Sequence, residues 1–530
     1  MFILQPDTTI LSRAIAQREQ WMMNQAKFGD IDVHFIFVPR RTIECDEMLK
    51  ASRLLIAEKV HHLQLDLLPL EDDLLSLELP DNFARNLLQD DGAYKIYVQN
   101  SIARLEQIYG TIRCKVGKGD HSSMILARLK EQAKSKSQDE LLSQPSEIDG
   151  LFLIDRQVDL VSPFCFNQTY EGLIDEVFGI EAASVRVSQR IVQPDAETEE
   201  EKKGETTLVL SNVDYVFKDV RDKHFGVLDQ NFSKKLQQIK QIVSEKDKQQ
   251  TIDQIEDFIA RIKDMNPAKL KQLVATHINL ASHIKTQISD LDRQQVASLE
   301  QNVIMGEDIN QTLSVLEAKI LKGYDRDAVL RLLCLLSVTQ NGIKKPELDA
   351  IRKFYLTCYG FEEVVTLMNL HDAGLLKLKD RGFEWAAVKK AYNLLDLECN
   401  PLMPVDFSYV HNGYAPLSVR LIQSWIRNKG MKNMQDKLRL LQGQPYSSTK
   451  AERELFESDS ATKKRILIYF VGGVTYAEIA AVRFLNGLHP DYKFMVATTC
   501  VLNGNKAIQS MRVNLENLLN SDDAMRNAKK

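Results

Sequence analysis

Apolar and polar positions follow two periods along this chain. Short apolar runs bounded by turn residues stand at Met1–Leu4, Val33–Val38, Leu151–Ile154, Thr207–Leu210, Arg465–Val471 and Phe494–Thr498, and they predict strands. Leu63–Leu68 is a further candidate strand. Apolar residues recurring every three or four positions predict helices over Ile10–Met23, Tyr94–Tyr109, Ser122–Gln132 and Tyr170–Val177. From Phe232 to about Leu321 the helical pattern is continuous, with Asn266-Pro267 opening one helix and Met305-Gly306 breaking the run. Asp327–Val338 is apolar almost all round, which buries it, and it stops at Asn341-Gly342. Gln435–Leu441 predicts a short helix, Gly443–Lys464 a polar loop, and Thr475-x-x-Glu478 a capping box opening a helix over Ile479–Leu488. Strands on both sides of a long helical stretch predict an α/β domain interrupted by a helical insertion.

The most specific residues lie where the Leu151–Ile154 run ends. Asp155, Arg156 and Asp159 gather charge there, Ser162-Pro163 stops the pattern, and Tyr170, Glu171 and Gly172 open the next helix. Ligands of open α/β sheets bind at such strand ends. Read as chemistry, Asp155 and Asp159 would form a carboxylate pair for a metal or for acid/base work, with Arg156 holding an anion. Read as structure, they form an ion-pair and capping network. No well-placed His, Asp or Ser joins them from other strand ends, which favours the structural role.

Other tempting motifs fail on spacing. Gly110 and Gly117 are separated by six residues instead of four, and Gly119 stands where a phosphate loop needs Ser or Thr. His277 and His283 are six apart on a helix, hence on different faces, which argues against a metal site. Arg221, Asp222 and His224 lack a nucleophile. The region around Asp372 to Gly382 could be a winged helix, but without a basic recognition helix it suits a protein partner better than DNA.

Lys plus Arg number 68 against 73 Asp plus Glu, a net charge of −5, which gives no whole-chain field for nucleic acid or anionic lipid. The seven cysteines are scattered and never in CxxC spacing, as expected of reduced thiols in a cytosolic protein. No apolar run approaches the roughly 20 residues that span a bilayer. The first strands, within about 65 residues, are few for an open sheet of about four to six.

Asp155-Arg156-x-x-Asp159-x-x-Ser162-Pro163 followed by Thr169–Glu176 resembles the signature of the Sec/Munc (SM) family of syntaxin-binding proteins, in its vacuolar sorting branch. Phe37–Arg41, Tyr409–Arg420 and Phe470–Ala481 carry the same resemblance in the same order. It implies an SM-type arch: a truncated parallel-sheet α/β first domain (1–68), a discontinuous α/β second domain (69–217 and 455–530), and a mostly helical third domain comprising a hairpin part (218–325) and a winged part (326–454). It implies a structural role for the signature residues Asp155, Arg156, Asp159, Pro163, Tyr170, Glu171 and Gly172. It further implies SNARE binding by a helical hairpin carrying His283, Gln287, Met305 and Gly306. The region of Lys377, Trp385 and Val388 resembles the surface that docks a sister subunit of the HOPS and CORVET tethers. Trp385 fits either a partner anchor or an ordinary core position.

The resulting expectation is a non-catalytic fusion factor, cytoplasmic and peripheral on late endosome, lysosome or vacuole membranes through its partners. Its partners would be SNARE proteins and class C tether subunits, with no cofactor, metal or nucleic acid. Two alternatives stand beside it: an α/β enzyme using Asp155, Arg156 and Asp159, and a helical scaffold for non-SNARE partners.

Overall fold

The computed structural model describes residues 1–4, 8–23, 32–38, 41–52, 54, 59–63, 65–79, 81–88, 92–135, 146–194, 204–245, 267–380, 384–458 and 462–512. They fall in two compact units, Met1–Leu68 and Pro69–Val513.

In the first unit, strands β1 (Phe2–Leu4), β2 (Phe35–Phe37) and β3 (Val60–His62) form a parallel sheet in the order β1-β2-β3. Helices α1 (Thr8–Met23) and α2 (Ile43–Ala51) bury Leu11, Ala14, Ile15, Cys45 and Leu49 with Phe35 and Phe37 of β2. Thr42 caps α2 by accepting from the Cys45 N–H. The third strand lies ahead of the expected Leu63–Leu68: Val60 alone is buried in β3, so its two exposed histidines hid it from a hydrophobic pattern.

The second unit is built on a seven-stranded sheet. Its strands are β4 (Leu68–Glu71), β5 (Leu74–Ser76), β6 (Cys114–Lys118), β7 (Gly150–Asp155), β11 (Pro445–Tyr446), β12 (Lys464–Val471) and β13 (Tyr492–Thr498), in the order β11-β6-β7-β12-β13-β5-β4. Strands β6, β7, β12, β13 and β5 run parallel, and β11 pairs antiparallel with β6. Every residue of β7 is buried, as a parallel strand covered on both faces requires. A smaller antiparallel sheet joins β8 (Ile180–Glu181), β9 (Ser184–Ser188) and β10 (Glu205–Val209). After the helical stretch, β11 adds an edge strand beside β6, and β12 then pairs with β7, where the chain had left the sheet.

Helices α3 (Asn82–Leu88), α4 (Gly92–Tyr109), α5 (Asp120–Ser135), α6 (Tyr170–Phe178) and α7 (Tyr215–Val220) precede the helical stretch. That stretch comprises α8 (Leu228–Glu245), α9 (Pro267–Ile288), α10 (Leu291–Met305), α11 (Ile309–Leu321), α12 (Arg326–Thr339), α13 (Lys345–Tyr359), α14 (Glu363–Asp372), α15 (Trp385–Tyr392) and α16 (Leu417–Arg427). The hairpin is α8 packed along α9, while α10 packs on α11 and α12. The run expected to continue from Pro267 to Met305 breaks at Ser289-Asp290, where Asp290 caps α10. Asn266 lies outside the described residues, as do Arg381 and Gly382 of the wing-like turn. Gly342 passes so close to Leu378 that a Cβ would stand 2.4 Å from its carbonyl oxygen.

The polar loop expected over Gly443–Lys464 is corrected: it holds β11 and α17 (Thr449–Glu457). Only Glu452 and Leu455 of α17 are buried, too thin an apolar stripe to read. Helix α18 (Tyr476–Leu488) opens with the expected capping box, Thr475 and Glu478 each bonding the other's backbone N–H. Helix α19 (Gly504–Ser510) closes the described chain.

Candidate functional site

The charges at the end of β7 are buried, and each has partners within the fold. Asp155 Oδ2 accepts from the His121 N–H at 2.8 Å, and Oδ1 from the Ser122 N–H at 2.9 Å and from its hydroxyl. It therefore closes the N-terminus of α5. Burial pushes its carboxyl up to about 7, against the pull of those hydrogen bonds. Arg156 donates to both oxygens of Glu478 at 2.8 and 2.9 Å, to the Asp159 carbonyl at 2.9 Å and to the Gly473 carbonyl at 3.2 Å. Burial works to lower the guanidinium pKa, but Glu478 and Asp159 outweigh it and the net shift is upward. Asp159 accepts from the Val161, Ser162 and Ser418 N–H groups and from the Ser162 hydroxyl.

The signature continues into α6. Pro163 sits in the middle of a buried 3-10 turn, Ser162–Phe164. Tyr170 Oη and His277 Nδ1 are 2.9 Å apart, and His277 Nε2 lies 2.9 Å from Asp214 Oδ2, so α6, α7 and α9 meet through one polar chain. Glu171 accepts from Arg221, which also reaches Glu71, and from Arg483, which grips Asp73 and Asp222. A Cβ on Gly172 would stand 2.6 Å from Asn167, so only glycine lets α6 approach that loop. All seven signature residues thus build structure.

The phosphate-loop lookalike is also internal. Lys118 donates to the carbonyls of Leu441 and Gly443, and burial pushes its ammonium down to about 8. Among the described residues, no group of three or more His, Cys, Asp or Glu side chains forms a metal-holding cluster.

The residues expected on the SNARE-binding hairpin divide into two places. His283 stacks on Phe178 with ring centroids 5.4 Å apart, and it shares with Gln287 the half-buried end of α9. Met305 and Gly306 end α10, within the 218–325 part but on a different helix from His283 and Gln287. Gly306 closes α10 in the left-handed conformation at φ 82°.

The expected docking trio divides as well. Trp385 is 4 % exposed and Val388 1 %, while Lys377 is half-buried. Trp385 Nε1 donates to the Ile304 carbonyl at 3.1 Å, and Lys389 Nζ caps the carbonyls of Ile304 and Met305. The anchor role is therefore corrected for Trp385 and Val388: both pack in the interior, leaving Lys377 and the exposed Leu378 at the surface. The sequence did not mark Trp385 as core because its partners, the end of α10 and Tyr414, are distant in the chain.

One cavity, of about 260 Å³, went unread in the sequence. It opens among Phe166, Ile288, Arg293, Glu300, Tyr324 and Arg331. Arg331 bonds both oxygens of Glu176, and Glu300 accepts from the Phe166 N–H at 3.0 Å. Burial pushes Glu300 up to about 7.

A model described as the Sec1 family matches residues 1–510. The chain is 34 % identical over 503 residues to the vacuolar protein-sorting-associated protein 33 homolog of Arabidopsis thaliana, covering 92 % of this chain and 82 % of that one. It is 32 % identical over 500 residues to vacuolar protein sorting-associated protein 33A of Rattus norvegicus, covering 91 % and 81 %. Among solved structures, the SM protein Vps45 in complex with the Qa SNARE Tlg2 aligns with a TM-score of 0.58 at 18 % identity, over 96 % of this chain and 85 % of that one. The Unc18-syntaxin 1 complex from Monosiga brevicollis aligns with a TM-score of 0.59 at 13 % identity, over 96 % and 87 %. These two likenesses show a shared fold.

Proposed function

The chain belongs to the Sec1 family, and from that premise we propose that it is a non-catalytic SNARE-binding factor that promotes SNARE assembly and membrane fusion. The observation that carries this is the fate of the signature: Asp155, Arg156 and Asp159 are held by helix N-termini, backbone carbonyls and Glu478. Charges so engaged orient helices; they do not receive a substrate. Tyr170, His277 and Asp214 join α9 of the helical stretch to α6 and α7.

The physical logic is templating. Holding two SNARE helices side by side removes much of the orientational entropy that opposes their pairing, without a covalent step. A relative's structure with a Qa SNARE supports this class of partner. The finer assignment rests on the curated relatives, which carry vacuolar protein sorting names. On it, the chain works within the HOPS or CORVET tethers at late endosomes, lysosomes or vacuoles, docking a tether subunit around Lys377. No described helix is long and apolar enough to cross a membrane. Membrane contact then comes through partners.

The test is reconstitution. The purified chain with a class C tether subunit is expected to bind a syntaxin-type SNARE motif and to raise the lipid-mixing rate between SNARE-bearing vesicles. Absence of both effects with folded protein rejects the proposal.

A further inference from the structure

Within the Met1–Leu68 unit, two histidines meet in a way that fusion chemistry does not explain. His34 immediately precedes β2 and His61 lies in the neighbouring parallel strand β3. His34 Nδ1 and His61 Nε2 face each other across 3.1 Å, with ring planes within 13° of parallel. Two neutral imidazole nitrogens at that distance share a single proton. Neither ring is buried: the His34 side chain keeps 39 % of its exposure, and His61 is exposed.

The far side of His34 is organised too. Its Nε2 lies 3.5 Å from Asp32 Oδ2, and Asp32 is in turn gripped by Lys59. A carboxylate beside Nε2 keeps the N–H on that nitrogen and leaves a lone pair on Nδ1, aimed at His61. This is the carboxylate–histidine arrangement that orients metal-ligating imidazoles.

We propose that His34 and His61 form a binding site for a divalent transition-metal ion of the zinc type, with Asp32 as the outer carboxylate that orients His34. Two zinc–nitrogen bonds of about 2.0–2.1 Å at a tetrahedral angle set their nitrogens about 3.3–3.4 Å apart. The observed pair needs to open only slightly, by turning each ring about χ2, a torsion with a broad minimum. His61 supplies its Nε2 lone pair by carrying its proton on Nδ1. No third protein ligand joins them among the described residues, so water fills the remaining positions. His62 belongs to the opposite face of the strand by alternation. The bound ion clips β2 to β3 across 27 positions of chain.

The test is calorimetric titration of the full chain with zinc chloride. Wild type is expected to take up one equivalent. Affinity should fall at least tenfold in His34→Gln and in His61→Gln, fall roughly tenfold in Asp32→Asn, and stay unchanged in His62→Gln. Circular dichroism checks that each variant is folded. A second measurement needs no variant: zinc should protect His34 and His61 of the wild type from acylation by diethyl pyrocarbonate, read by peptide mass spectrometry. Absence of saturable uptake by wild type, wild-type affinity in both folded glutamine variants, or unprotected rings overturns the assignment.

Discussion

Arg156 and Glu478 stand 322 positions apart in the chain and meet through two parallel hydrogen bonds of 2.8 and 2.9 Å. The first directly follows strand β7. The second is the capping residue of α18 and also accepts from the Ser418 hydroxyl. One carboxylate therefore fastens a strand end, a helix start and the first turn of α16.

Breaking that pair from one side strands a buried charge. Arg156→Met is expected to cost about 3–5 kcal/mol, lowering the urea midpoint at an unchanged slope. Adding Glu478→Leu should recover only part of the loss, because the helix cap goes with the carboxylate and is worth about 1 kcal/mol. A wild-type midpoint for Arg156→Met refutes the role assigned to the pair.

Tyr170→Phe removes one hydroxyl and leaves His277 Nδ1 without its side-chain partner in a buried site. The expected cost is about 1–3 kcal/mol. It should act locally, with amide exchange accelerating in α9 before it does in β7 and β12. Uniform acceleration across the unit contradicts a specific link between α6 and α9.

Glu300 gives a pH signature. Its ordinary pKa of 4.5 applies when the chain is unfolded, and burial raises it to about 7 in the fold. Between those values the folded chain holds a proton that the unfolded chain has released, so this group's contribution to stability falls as pH rises from 4.5 to about 7, then levels off. Asp155 is shifted in the same direction. Glu300→Gln removes one of these slopes. Urea midpoints across that interval should therefore decline less in the variant than in wild type, and parallel declines rule the effect out.

Lys377 and Trp385 should separate under mutation. Trp385→Ala empties a core position and is expected to cost about 3–5 kcal/mol of stability, so any lost binding to a tether subunit would come with unfolding. Lys377→Asp should keep the wild-type denaturation midpoint and weaken that binding at least tenfold by calorimetry. Unchanged affinity in Lys377→Asp removes this face from the proposed interface.

The sequence by itself determined the features that depend on near neighbours. The apolar run of β7, the helix from Tyr170, its stop at Gly179 and the Thr475–Glu478 capping box all rest on spacings of a few residues, which local physics fixes. Asp155, Arg156 and Asp159 read as a structural cluster because no nucleophile or ligand companion accompanies them in the sequence. Tertiary structure alone decided who the partners were. Glu478 for Arg156, Asp214 for His277, His61 for His34 and the α10 carbonyls for Trp385 are pairings across long chain separations. Periodicity reports which face of an element is apolar, and it carries no information on what that face will meet. For the same reason a tryptophan in a polar stretch fitted anchor and core equally well until the end of α10 was seen to cover it.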